Sequence, residues 1–101
     1  MSANIVVEVP EELQPLLPTF LHNRQHDVQA LMQALADGDM AAIGRIGHNL
    51  KGVGGGYGFM QITAAGAQLE ELARLQSLAG LDTCIRDLQH FLACVEVVYI
   101  T

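Results

Sequence analysis

Apolar residues recur along much of this chain at intervals of three and four, the spacing of a buried helix face. Leu17, Leu21, Val28, Leu31 and Leu35 keep that spacing and predict a helix from about Pro18 to Ala36. Ile43, Ile46, Leu50, Val53 and Tyr57 predict another from about Met40 to Tyr57. Ile62, Ala65, Leu69 and Leu72 mark a third from about Gln61 to Leu78, and Ile85, Leu88, Leu92, Val95 and Tyr99 a fourth from about Asp82 to Tyr99. Turn signals separate them. "DGD" at 37–39 offers Asp39 as an N-cap, "GFMQIT" turns at Gly58, and "AGLD" offers Gly80 as a C-terminal cap. Upstream, "PEELQPLL" opens a short helix with Pro10 and two acids in its first turn, which Pro18 ends or kinks. Residues 1–9 include "SANIVVEV", a β-branched stretch expected as an extended arm. Short turns between long amphipathic helices make the helices antiparallel neighbours. The expected fold is therefore all-α, an antiparallel up-down four-helix bundle with an additional short N-terminal helix, in one domain spanning residues 1–101.

Composition agrees with packed helices. Half of the 101 residues are hydrophobic and only five are aromatic. No apolar run suits a bilayer and no signal peptide opens the chain, so a cytoplasmic protein is expected unless the chain was cut from a larger one, and a monomer is the expected state. The start "MSAN" favours a natural N-terminus, and the end "VVYIT" carries no stop signal. A net charge of −6 argues against nucleic acid and against anionic membrane surfaces. Cys84 and Cys94 sit on one predicted helix about 15 Å apart, too far to bridge, and are expected as buried free thiols.

One stretch breaks the helical logic. "IGHNLKGVGGGYGF" places five glycines in the seven positions from Gly52 to Gly58, although each interior glycine costs a helix about 1 kcal/mol relative to alanine. Either the helix stops at Lys51 and a loop follows, or it continues, as the apolar positions Val53 and Tyr57 suggest. Placed around the axis, the apolar residues fall on one side and His48 on the opposite side. Near His48 lie Gly44, Arg45, Lys51, Gly52 and Gly55. Three of these neighbours carry no side chain, so the face gives up helix propensity and leaves a bare floor on which another macromolecule can land. The two cations suit an anion such as a phosphoryl group. An imidazole in water is largely neutral and nucleophilic near pH 7. The glycines do not form a nucleotide-binding loop: a P-loop lysine follows its glycines, and a dinucleotide fingerprint follows a strand.

"HNLKG", with Gly55 and Gly58, resembles the H-x-L-K-G-x-x-x-x-x-G signature of histidine phosphotransfer (HPt) domains, the phosphorelay modules of two-component signalling. The resemblance extends over most of the chain, through the "GD" turn before the histidine helix, "YGF" after it and "LE" early in the next helix. It implies a four-helix bundle with His48 as the exposed phosphoacceptor and Lys51 near the phosphoryl group. It also implies that Gly52 and Gly55 leave access for a receiver domain and that Gly58 ends or bends the helix. In some members an acid or amide 22 residues after the acceptor hydrogen-bonds the imidazole, and Glu70 holds that spacing. A carboxylate on Nδ1–H would leave Nε2 bare and nucleophilic; alternatively Glu70 or Glu71 is an ordinary solvated acid. Arg74, one turn beyond Glu70, could pair with it, steer an acidic receiver site, or form a surface ion pair. Val53 stands where many members carry Ser or Ala, and its place on the apolar side assigns it to packing. Gly54 and Gly56 exceed the signature and are expected to loosen the helix end.

The resemblance implies response-regulator receiver domains as partners, with a hybrid sensor histidine kinase as a further source of phosphate. It implies no cofactor on this chain, Mg²⁺ belonging to the receiver, and a phosphocarrier without ATP-dependent kinase activity. A non-catalytic bundle that binds or scaffolds a receiver or kinase is the alternative; a metal or haem carrier lacks inward His or Glu-x-x-His pairs. His22 and His26 share a helix face but have no evident third metal ligand. His90 is expected at the surface or half-buried, and Met32, Met40 and Met60 as core filler.

Overall fold

A computed structural model describes residues 4–101, so the first three residues of the expected N-terminal arm lie outside the described residues. The chain runs through β1 (Ile5–Pro10), a 3-10 turn (Glu11–Leu16), α1 (Leu17–Asp37), α2 (Met40–Gly56), α3 (Met60–Leu75), α4 (Leu78–Cys94) and β2 (Val95–Ile100). The four helices pack as an all-α bundle. "PEELQPLL" supplies the short N-terminal helix in its tighter 3-10 form, with Pro15 inside it and Pro18 in the first turn of α1. Pro18 thus opens a helix, where its missing N–H is not needed.

Local chemistry sets the turns. α1 ends on Gly38 in the left-handed conformation, and the Asp39 side chain accepts from the Ala42 N–H to cap α2. α2 ends through Gly58, whose φ of +83° suits glycine alone without strain. The Gly80 assignment is corrected. Gln76, not Gly80, takes the left-handed position after α3, and Ser77 caps α4 by accepting from the Gly80 N–H. Gly80 therefore lies in the first turn of α4, because a serine N-cap three residues earlier starts the helix sooner than the glycine could end its predecessor.

The last predicted helix is also corrected. It stops at Cys94, and Val95–Ile100 is a strand parallel to β1, with Ile5 opposite Val95 and Pro10 opposite Ile100. An even number of antiparallel helices returns the chain to the end where α1 began. The whole bundle then acts as the long crossover that a parallel pair requires. Val7 and Val9 of β1 are buried in the core, and their partners Val97 and Tyr99 of β2 pack against it half-buried.

The core is built from Phe20, Leu31, Ile43, Leu50, Phe59, Ile62, Leu69, Leu81 and Leu88 together with those valines. Tyr57 stacks on Phe20 of α1 with ring centroids 4.0 Å apart, and Phe20 on Phe59 at 5.4 Å. Two packing expectations fail. Met32 and Met60 are exposed; only Met40 packs against the core. Val53 is 37% exposed, because α2 turns the face carrying Ile43, Gly47, Leu50 and Gly54 inward instead. Cys84 is buried and Cys94 half-buried, both as free thiols. Among the described residues no helix is long and apolar enough to cross a membrane.

Candidate functional site

His48 stands near the middle of α2 on the face turned from the core, with 70% of its side chain exposed. Its orientation comes from the neighbouring helix. Glu70 of α3 brings Oε2 within 3.1 Å of His48 Nδ1 and Oε1 within 3.5 Å of Lys51 Nζ. One carboxylate thus spans both functional groups of α2. An ionised carboxylate only accepts, so Nδ1–H donates to Glu70 and Nε2 keeps its lone pair free. Nε2 is then the nitrogen that can attack an electrophile, with the Lys51 ammonium close enough to meet negative charge arriving beside it.

The surroundings are open. His48 borders a depression lined by Ala41, Gly44, Arg45, Asn49 and Glu70. Side-chain atoms added at Gly44, Gly52 or Gly56 would meet nothing within 4 Å, and one at Gly55 only the Thr63 hydroxyl at 3.8 Å. Of these, Gly44, Gly52 and Gly55 share the face of His48 and keep the floor beside the imidazole bare. Gly54 is different: it is buried, and a Cβ there would collide with Thr63 Oγ1 at 2.5 Å and the Phe59 carbonyl at 2.9 Å. Its role is close packing of α2 on α3.

Arg74 does not pair with Glu70. Its Nε donates to Glu71 Oε2 at 3.1 Å, an i, i+3 pair on one exposed helix face. The hydrogen bond to Arg74 holds the Glu71 carboxyl below its ordinary range, and the same bond pushes the Arg74 guanidinium up. Glu70 is left to His48 and Lys51. Arg45 makes no ion pair among the described residues.

Residue patterning alone passed over three contributors. Asn49 lines the depression, and Gly47 and Gly66 form a close backbone contact between the two helices that carry the site. An isolated glycine inside an apolar helical pattern, as Gly66 is in "ITAAGAQLEEL", is the available signal. Elsewhere, His22 and His26 bring their Nε2 atoms within 3.0 Å on α1, but no cluster of three metal-ligating side chains exists among the described residues. His90 is exposed, one turn before Cys94.

Compared with known families, residues 15–97 match the Hpt domain. No curated protein and no solved structure matches the chain.

Proposed function

The chain belongs to the Hpt domain family, whose members act in phosphotransfer within two-component systems, and from that premise we propose that His48 is its phosphoacceptor. The phosphoryl group comes from a receiver-domain aspartyl phosphate and passes on to a second receiver. The observation that carries the reading is the exposed imidazole held through Nδ1 by Glu70, with Lys51 beside it and no side chain on the adjoining glycines.

In the forward step the Nε2 lone pair attacks phosphorus, and the bond from phosphorus to the aspartyl oxygen breaks. The aspartate leaves as a free carboxylate, and the ring carries the phosphoryl group on Nε2. Positive charge that develops on the ring is offset by Glu70 through Nδ1–H, the part an orienting acid plays toward a catalytic imidazole. Lys51, joined by Arg45, offsets charge on the phosphoryl oxygens. The transition state is loose and in line, so positioning and charge neutralisation dominate the barrier. Mg²⁺ is supplied by the receiver. The partners are receiver domains, including those of a hybrid sensor kinase, and the protein works in the cytoplasm as a monomer without its own ATP-dependent kinase activity.

Label transfer from a phosphorylated receiver tests this. His48→Gln should accept no label. Wild-type label should be acid-labile and base-stable, as a phosphohistidine is. Lys51→Ala should stay folded and slow transfer by about tenfold, ~1.4 kcal/mol in barrier height. Labelling of His48→Gln at the wild-type rate would sink the assignment. Receiver binding without any labelling would favour a scaffold instead.

A further inference from the structure

The α2–α3 contact leaves no room for a side chain at two glycines beside the candidate site. A Cβ built on Gly66 would fall on the Lys51 amide nitrogen, 2.5 Å from the Gly47 carbonyl oxygen and 3.0 Å from the Leu50 carbonyl carbon. One built on Gly47 would lie 2.8 Å from the Gly66 carbonyl oxygen and 3.0 Å from both the Glu70 amide nitrogen and Leu69 Cβ. Nearly all of these obstacles are backbone, which cannot swing aside as the end of a long side chain can. They also include the main chain of Lys51 and of Glu70. Gly47 directly precedes His48, and Gly66 lies one turn before Glu70.

We infer that Gly47 and Gly66 are positioning residues for His48: their backbone-to-backbone contact sets the distance at which Glu70 holds Nδ1, and so decides which ring nitrogen is free to react. The inference rests on the reading of Nε2 as the nucleophile. Its physical content is a length. Helix axes usually pack about 8–10 Å apart, spaced by side chains. Glycine facing glycine removes that spacer. Restoring a Cβ would push the helices apart by roughly 1 Å to regain van der Waals separation. The Nδ1–Oε2 hydrogen bond, already 3.1 Å, would then pass beyond hydrogen-bonding distance. The imidazole would lose its bias toward Nδ1–H, and part of the population would carry its proton on Nε2, the attacking atom. Gly44, Gly52 and Gly56 have no neighbour within 4 Å and should not share this role.

The experiment is nitrogen-15 NMR of the His48 ring in the unphosphorylated protein, at a pH where a neutral imidazole predominates, with folding followed by circular dichroism. Wild type and Gly52→Ala should show one tautomer with Nδ1 protonated and Nε2 bare. Gly66→Ala and Gly47→Ala should show the averaged shifts of an unrestrained ring and accept label about 10- to 100-fold more slowly, the penalty expected for a misplacement near 1 Å. A folded Gly66→Ala that keeps the wild-type ring shifts would overturn the inference. If it does not fold, the milder collisions at Gly47→Ala decide. Glu70→Asp decides independently, since it withdraws the carboxylate by one methylene and leaves the glycine contact intact; wild-type shifts in that variant would refute a role for spacing. The tautomer is read without any receiver. A wild-type ring with Nδ1–H but no label transfer would therefore defeat the phosphocarrier reading while leaving the positioning role standing.

Discussion

At the scale of the residue, Glu70 acts on two neighbours at once. Its 40% exposure moderates the strength of both contacts, so its main effect is directional: it selects a tautomer more than it adds stability. His48 and Lys51 were legible from spacing, because an exposed imidazole and a cation three residues on must share a helix face. The partner of Arg74 was not, since Glu70 and Glu71 both lie within its helical reach and only side-chain geometry chooses between them. The thiols give a separate residue-scale prediction. Burial, with Asp87 nearby, pushes the Cys84 thiol above its ordinary range. The folded state then holds that proton more tightly than the unfolded state does. Its contribution is fully present below the ordinary thiol range and is lost as pH rises above about 8.5. Urea midpoints should fall across that range, and Cys84→Ala should flatten the fall. A thiol reagent should modify half-buried Cys94 before Cys84, with peptide mapping to read the order; the reverse order would contradict the burial described.

At the scale of the element, α2 is a helix that surrenders propensity for geometry. Its glycines divide by what surrounds them. Gly52 stands in open space, whereas Gly58 sits at φ +83° beyond the helix end. Gly52→Ala is accordingly expected to stabilise the fold by about 1 kcal/mol, and Gly58→Ala to destabilise it by roughly 1–2 kcal/mol, both read as denaturant midpoints. The longer Gly52→Gln should fold equally well yet slow label transfer by about tenfold, because its side chain would occupy the floor beside the imidazole. Equal transfer rates in Gly52→Gln and wild type would show that the bare surface is not needed for access. The inward stripe of α2 was misread at Val53 for a simple reason. Counting apolar side chains cannot register Gly47 and Gly54, which are buried without having one. Val53 therefore looked like the continuation of a stripe that turns toward α3 through glycine.

At the scale of the whole molecule, the β1–β2 pair joins the two ends of the chain over the bundle. Val9 of β1 has no exposed surface and belongs to the core. Val9→Ala should cost about 2 kcal/mol in unfolding free energy. The label-transfer rate should be unaffected, since His48 lies ten residues before Gly58, about 15 Å along the helix from the end that meets β1. A parallel fall in transfer rate would mean that the pair and the site are coupled. Much of this architecture follows from sequence alone. Periodic apolar positions and short capped turns define four helices, because those signals act within a few residues. The same local spacing puts His48, Lys51 and the open glycines on one face. Tertiary structure decided what depends on distant partners. Val95 and Tyr99 satisfy helical spacing and strand alternation alike, and only β1, some ninety residues earlier, selects the strand. Likewise the 3.1 Å contact between His48 and Glu70 exists because two helices meet at glycine, and which glycine of α3 faces Gly47 is decided by the packing of the two helices rather than by the sequence around either residue.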